Sequence, residues 1–411
     1  MRLAPATQRS NLVLAAILVP LALLAIAGTA ALWPTGPQET QGNIVAVDAT
    51  YPSARVTQTS MRSCAATSED RQPDGSIPTT VECMRVAATV TSGPEKGTKV
   101  EVWATARLTP DDVPVGTRIT LENYPGSGPD AEAWAWHDFA RTLPLGALTV
   151  AFALVTIVVA RMRGLRALVG LAFAFIVIAA FMIPALLAGE DGLLVGLTGS
   201  TVIMFVVLYL AHGLSRRTST ALVGTLAGLA VTAGLGALAA AAARLTGITS
   251  EDDYRLAALL GESGSAGLRG IFLCGVVLAG LGVLNDVTIT QASAVWELHE
   301  SAPETSRREL ISRAMRIGRD HIASTVYTIA FAYAGASLPV LLLLEIYQLP
   351  VMQTLTGGAF AAEIVRTLAG SIGLVLAIPL TTAIAALVVS SDAGRPSLRH
   401  RHRVPEPSHV H

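Results

Sequence analysis

The sequence predicts an α-helical polytopic membrane protein with about eight transmembrane helices and a small extracytoplasmic all-β module, of the OB type, between helices 1 and 2. Three observations lead to this fold class. The 411 residues have a mean hydropathy of +0.54, which is too high for a soluble chain of this length. Their apolar side chains cluster in windows of bilayer-spanning length. One polar region, rich in Thr, Pro and Gly, separates the first window from the second.

Eight apolar windows approach the roughly 20 residues that a transmembrane helix needs. They cover residues 11–33, 143–160, 165–188, 193–214, 220–243, 268–290, 322–346 and 363–390. We therefore divide the chain into an N-terminal transmembrane anchor, an extracytoplasmic β module, a seven-helix transmembrane domain and a cytoplasmic basic tail. These domains cover residues 1–34, 35–142, 143–390 and 391–411.

The first window is open to two interpretations. Ala25-Ile26-Ala27 ahead of Gly28 has the small-x-small pattern of a cleavage site, which is typical of a signal peptide. The apolar run continues to Leu32, which favours an uncleaved anchor with its N-terminus in the cytoplasm. Both interpretations export the region that follows.

The distribution of arginine between the loops predicts the orientation. Basic residues follow the second, fourth, sixth and eighth windows, whereas the alternate connections are short or acidic. Cytoplasmic loops carry the excess of Lys and Arg, so both termini are expected in the cytoplasm and the β module outside. The basic residues are Arg161, Arg163, Arg166, Arg216, Arg217, Arg307, Arg308, Arg313, Arg316, Arg319, Arg395, Arg399, Arg401 and Arg403.

The polar region between the first two windows shows the period-two alternation and the turn residues of short strands. We expect an OB-type barrel or, alternatively, a sandwich. The predicted strands cover residues 44–47, 81–90, 100–108 and 118–121. Trp134, Trp136 and Phe139, just ahead of the second window, are interpreted as an interfacial aromatic belt.

Two of the three cysteines, Cys64 and Cys83, lie in this polar region and flank the loop 67–79. On the oxidising side of a membrane we expect them to form a disulfide, and the alternative is two free thiols. The module has no His/Cys metal spacing and no nucleophile arrangement. A binding or gating role is therefore expected for it rather than catalysis.

The sixth window carries Asn285 and Asp286 inside an otherwise apolar segment. An Asp at the centre of a transmembrane helix costs about 2.5–3.5 kcal/mol on insertion scales, so it usually faces a partner or a hydrated cavity. Thr290 shares the helical face of Asp286, and Thr325 and Thr328 form a comparable face in the next window. We predict an ion or proton site from these five residues. The alternative is that Asp286 lies at the inner membrane interface.

Other classes of function are disfavoured. A net charge of −1 gives no basic footprint for nucleic acid. The chain has no Walker A sequence, no HExxH motif and no nucleophile arrangement in its spans, so we expect no enzyme, cofactor or metal site. His321, at the start of the seventh window, is interpreted as a hydrogen-bonded interface residue, and the histidines of the tail as part of a solvated segment.

Several segments of the membrane region together carry a family resemblance. They read HDFAR at 137–141, GLRAL at 164–168, GVLNDVT at 282–288, GRDHI at 318–322, AYAGASLP at 332–339 and EIVRTLAGSIG at 363–373. On these segments the chain resembles the YibE/F-like family of bacterial multipass membrane proteins. The resemblance implies a plasma-membrane protein of the kind often described as a transporter, without an established substrate.

Two function classes remain. The first is a secondary transporter or channel-like permease of unknown substrate, proton- or cation-coupled through Asp286, with the path formed by the last three windows. The alternative is a non-transporting membrane scaffold or envelope assembly factor whose β module binds a partner. The expected partners are the lipid bilayer, a small solute or ion, and a second copy of the chain or an envelope protein.

Overall fold

The computed structural model describes residues 5–34, 49–72, 74–105, 108–124, 133–260, 264–348 and 350–390. The chain forms two compact units. We call residues 42–155 the β unit, because the named strands lie there, and the remaining residues the helical unit.

Five strands of the β unit form one antiparallel sheet in the order β3-β2-β1-β4-β5. The strands are β1 Ser53–Ala65, β2 Thr80–Val90, β3 Lys99–Trp103, β4 Arg118–Asn123 and β5 Trp134–Phe139. β1 is the longest and pairs with β2 on one side and with β4 on the other. The predicted strands at 81–90, 100–108 and 118–121 correspond to β2, β3 and β4, while 44–47 lies outside the described residues.

Period-two burial gives the sheet one apolar face. Val86, Ala88 and Val90 are buried along β2, and Ile119 and Leu121 are completely buried in β4. Successive side chains of a strand point to opposite faces, so these residues lie on the same side of the sheet. Fully burying a Val, Leu or Ile side chain contributes about 1.5–3 kcal/mol, so this face accounts for much of the sheet's cohesion.

The aromatic residues ahead of the second window belong to strand β5, which was not predicted as a strand. β5 pairs with β4, and Trp134, Trp136 and Phe139 pack against the core of the sheet. Large aromatic side chains suit the half-buried, pleated surface of a sheet. The same composition therefore fits a strand as well as a membrane interface.

The helical unit consists of long apolar helices joined by short ones. The helices are α1 Pro5–Ala31, α2 Thr142–Val177, α3 Ile183–Leu187, α4 Gly192–His212, α5 Arg216–Ala242, α6 Glu251–Leu260, α7 Gly264–Ser301, α8 Arg307–Ala336, α9 Leu338–Tyr347, α10 Val351–Leu355 and α11 Gly358–Ser390. A π-helical turn, Ile178–Met182, joins α2 to α3. The first residues of α2 belong to the β unit.

Six stretches of the described chain are helical, long and apolar enough to cross a membrane, where the sequence predicted eight spans. They are Ser10–Ala31, Thr142–Leu187, Gly192–His212, Arg216–Ala242, Gly267–Ser301 and Gly358–Ser390. The protein is therefore a mostly helical membrane protein with six candidate spans and a small antiparallel sheet in its N-terminal region.

The difference between six and eight arises at two places. The stretch Thr142–Leu187 contains the second and third windows; its 46 residues would extend about 69 Å, more than twice the hydrocarbon thickness of a bilayer. Arg161 interrupts it with φ 52° and ψ −133°, a non-helical conformation. The seventh window is divided between α8 and α9, and the arginines in the first half of α8 make that helix too polar to qualify.

Close glycine contacts hold the helices of the core together. Gly192 of α4 lies against Gly270 of α7, and a Cβ atom at Gly192 would overlap the facing backbone. Gly228 of α5 lies against the side chains of Leu284 in α7 and Ala377 in α11, which leave no room for a Cβ atom. Small residues permit such approaches between membrane helices. These contacts fix α7 between α4, α5 and α11, and α7 carries the candidate site.

Candidate functional site

Asp286 opens into a polar cavity of about 580 Å³ in the helical unit. Its side chain is 77% exposed within the chain, so it is not part of the packed core. The polar side chains that line this cavity come from α2, α4, α5 and α7. They are Arg163, Arg166, His212, Arg217, Asn285, Asp286, Thr290 and Ser293, and we call the space they enclose the basic cavity.

His321 of α8 lies beside Asp286. Its Nε2 atom lies 4.0 Å from Oδ2 of Asp286, which is ion-pair distance when the imidazole is protonated. The same Nε2 atom is buried and has no hydrogen-bond partner among the described residues. An imidazole and a carboxylate at this separation can exchange a proton through one water molecule or a small side-chain movement.

Three of the five predicted site residues share the basic cavity. Asn285, Asp286 and Thr290 lie on adjacent faces of α7 and line it together. The Oδ1 atom of Asn285 is buried and has no hydrogen-bond partner in the described chain. A buried amide oxygen without a donor is costly, so this atom is available to a water molecule or a ligand.

The two predicted threonines of α8 lie elsewhere. The hydroxyl of Thr325 donates to the carbonyl of His321 at 2.9 Å, which places it one turn beyond the histidine. Thr328 lines a second cavity of about 270 Å³ between α7, α8 and α11, together with Val283, Tyr333 and Arg366. We call this second space the three-helix cavity. The structure therefore separates the predicted single site into two neighbouring regions along α8.

Three arginines line the basic cavity although the sequence did not indicate them as site residues. Arg163, Arg166 and Arg217 were interpreted only as signals of orientation, yet the structure brings their side chains to the cavity that contains Asp286. Arg217 also approaches Glu297 at 3.9 Å. The available signal was that all three follow the predicted cytoplasmic ends of predicted spans, but their convergence depends on tertiary packing.

A buried polar junction was also missed. Gln291 of α7 is 3% exposed and donates to the carbonyl of Ala314 in α8 at 3.1 Å and to Oγ1 of Thr382 in α11 at 2.7 Å. The same helix carries Thr288, whose hydroxyl lies 2.5 Å from that of Thr225 in α5. Polar side chains inside membrane bundles commonly join helices in this way. The junction holds α8, and with it His321, beside α7.

The β unit has a separate cavity of about 640 Å³ beside its cysteines. Cys64 of β1 and Cys83 of β2 are joined as a disulfide with a Cα–Cα distance of 5.8 Å, which suits such a bond. Trp103 lines the cavity, and the guanidinium of Arg85 lies 5.1 Å from its ring centroid. Among the described residues no group of His, Cys, Asp and Glu could hold a metal ion.

The comparison with known proteins agrees with the resemblance seen in the sequence. The YibE/F-like protein family matches residues 148–391, more than half of the chain and most of the helical unit. No curated protein and no solved structure matches the chain. The protein belongs to the YibE/F-like family.

Proposed function

We propose that this protein is a secondary transporter or channel-like permease that is coupled to protons or cations through Asp286. The observation that carries the proposal is the exposure of the Asp286 carboxylate to the basic cavity. An ionisable residue in a membrane helix is expensive unless it serves a hydrated path or a partner. The carboxylate of Asp286 faces a cavity large enough for a small solute.

A series of polar groups extends from this cavity along α8. The carboxylate of Asp286 is followed by His321 at 4.0 Å, and Thr325 lies one turn further. Thr328 then lines the three-helix cavity, where Arg366 pairs with Glu363 at 2.5 Å. Two cavities joined by titratable and hydroxyl groups on α7 and α8 support a path through the predicted sixth, seventh and eighth spans.

The proposal includes the eight-span topology. The break at Arg161 supports two spans within Thr142–Leu187, and α8 with α9 would supply the remaining one. Both termini then face the cytoplasm of a bacterial cell and the β unit faces outward. The sheet order β3-β2-β1-β4-β5, with a long β1 paired on both sides, supports an OB-type module. We expect no enzymatic activity.

The alternative is a membrane scaffold or assembly factor whose β unit binds an envelope partner. One observation favours it: the cavity beside Cys64 and Cys83 combines Trp103 with the carboxylates of Asp70 and Glu82. A partly exposed aromatic side chain with polar neighbours is typical of protein interfaces. A partner of this kind would co-purify with the protein in mild detergent.

Reconstitution into liposomes distinguishes the two functions. Flux of a panel of ions and small solutes would be compared for the wild type, Asp286→Asn and Glu300→Gln. Glu300 is an exposed carboxylate on the same helix and outside the basic cavity, so it is the matched control. We expect the wild type and Glu300→Gln to transport and Asp286→Asn to fail. A stoichiometric partner with no flux for any member of the panel would support the scaffold instead.

A further inference from the structure

We propose that the basic cavity binds a tetrahedral oxyanion, of the phosphate or sulfate class, and that the transported solute carries such a group. The binding site is inferred from the cavity alone. That the bound group belongs to a transported solute rests on the proposed function. Three guanidinium groups from two helices line the cavity against the single carboxylate of Asp286. The site is therefore electropositive.

Arg163 and Arg166 of α2 line the cavity without an acidic partner in the described part of the chain. Among the described residues no carboxylate lies within 4.0 Å of Arg163 or Arg166, whereas Arg217 approaches the largely exposed Glu297 at 3.9 Å. A pair of that length and exposure is weak. The guanidinium fork matches the oxygen geometry of phosphate and sulfate and forms paired, charge-assisted hydrogen bonds with them. Two arginines with unused donors in one cavity are suited to that ligand.

Local structure orients these two arginines. Arg163 and Arg166 are three residues apart on a helix and therefore project to the same side. They follow the break at Arg161, and the buried Gly164 packs so closely against the carbonyl of Thr156 that a Cβ atom would not fit. The turn thus fixes the start of the helical segment that carries both guanidinium groups. A loose surface loop would not hold them in this way.

The remaining groups of the cavity complete the site. Arg217 stands in the first turn of α5, where backbone N–H groups also favour an anion. His212 ends α4 and lines the same cavity. These groups come from elements that converge on one cavity, which the positive-inside rule does not require. The rule explains why arginines lie at this end of the helices but not why they share a cavity with Asp286.

Asp286 couples anion binding to protonation. Its negative charge opposes an oxyanion in the same cavity, and protonation removes that opposition. The charged and titratable groups that face it are Arg163 and Arg166 of α2, His212 of α4, Arg217 of α5 and His321 of α8. Protonation of either histidine acts in the same direction as protonation of Asp286. An anion should therefore bind more tightly at lower pH and take up a proton as it binds.

The test is equilibrium binding of sulfate to the full-length protein in nanodiscs of zwitterionic lipid. Sulfate keeps its charge between about pH 6 and pH 8, so a pH dependence reports on the protein. We expect saturable binding that strengthens as pH falls. Arg163→Gln with Arg166→Gln should weaken it on the order of tenfold or more, and Lys at both positions should restore part of it. Arg308→Gln, an exposed arginine of α8 outside the cavity, should change nothing.

Asp286→Asn should change sulfate affinity in the opposite direction from the arginine variants. It should strengthen sulfate binding at about pH 8, because it removes the negative charge that opposes the anion, even though it abolishes coupled transport. This variant keeps the test informative if the arginine variants fold poorly. Absence of sulfate binding, or binding that the arginine and Asp286 variants leave unchanged, overturns the proposal.

A second arm distinguishes a free anion from a lipid headgroup. The same measurement would be made in nanodiscs that contain phosphatidylglycerol. If sulfate fails to bind in zwitterionic lipid while arginine-dependent retention of phosphatidylglycerol is found, the occupant is a lipid and the solute assignment is overturned. Flux that depends on Asp286 without any sulfate binding would leave the transport function intact and refute only the oxyanion.

Discussion

The junction at Gln291 allows a quantitative prediction, because its contacts are few and buried. Gln291→Leu keeps the approximate volume and removes the hydrogen bonds to Ala314 of α8 and Thr382 of α11. Polar contacts between membrane helices average about 0.6 kcal/mol and reach about 1.7 kcal/mol. The Ala314 carbonyl lies inside a helix, and Thr382 also bonds to Ile378 of its own helix at 2.7 Å. The loss of both bonds should therefore cost about 1–3 kcal/mol.

A double-mutant cycle with Thr382→Val isolates one of these bonds. Reversible unfolding would be measured in mixed detergent for the wild type, both single variants and the double variant. We expect a coupling free energy of about 0.6–1.7 kcal/mol between the two positions. Gln353→Leu, an exposed glutamine on α10, is the control and should have little effect. A coupling near zero, with Gln291→Leu as stable as the wild type, would refute the assignment of the junction.

Three further predictions concern the β unit and the topology. Cys83→Ser should destabilise the β unit by about 3 kcal/mol, given the separation of 19 residues between Cys64 and Cys83, and the wild type should shift in gel mobility on reduction; two free thiols in protein purified without reductant would contradict this. A maleimide added outside intact cells should not label Ser306→Cys until the membrane is permeabilised, and labelling before that would rule out the eight-span topology. The hydroxyl and then the N–H of Thr109 hold the pKa of Asp112 below its usual value of 3.8, so this carboxylate stabilises the β unit above that pH and the contribution is lost as pH falls further. Thr109→Ala should raise the acid-unfolding midpoint followed by tryptophan fluorescence, and an unchanged midpoint would exclude the effect.

The boundary between the second and third windows could be predicted from composition alone. The break at Arg161 falls between two predicted windows, because an arginine-rich segment cannot stay in hydrocarbon. Composition did not predict in the same way how the seventh window is divided into helices. Its residues are divided between α8 and α9, and the arginines of α8 lower the mean hydropathy of the helix that contains them.

Two of the five strands, β1 and β5, were not predicted from the sequence. The long strand β1 was not anticipated, because Arg55, Arg62 and several Thr and Ser residues conceal its period-two pattern. Strand β5 was interpreted as an aromatic belt. Strands β2 and β4 were predicted correctly, since their apolar residues alternate regularly. Whether segments such as β1 and β5 form strands depends on their pairing partners in the sheet more than on their local composition.

Asp286 could be singled out from the sequence because a carboxylate is rare in an apolar helix. Its surroundings could not be, since Arg163 and Arg217 are separated from it by 123 and 69 positions and reach the same cavity only through helix packing. Gln291 was overlooked because an amide at the end of an apolar window is also typical of a solvated helix end. Gln291 is buried because α8 and α11 pack against it, and the local sequence does not specify that packing.

Proton movement in proteoliposomes tests the central role of Asp286 most directly. Vesicles that hold a pH-sensitive dye would receive gradients of each ion or solute in the panel, with the wild type, Asp286→Asn and Glu300→Gln reconstituted at equal density. For at least one solute, we expect the wild type and Glu300→Gln to move protons with the solute and Asp286→Asn to move none. Equal, pH-responsive movement in Asp286→Asn would show that the carboxyl is structural and would contradict the proposed mechanism.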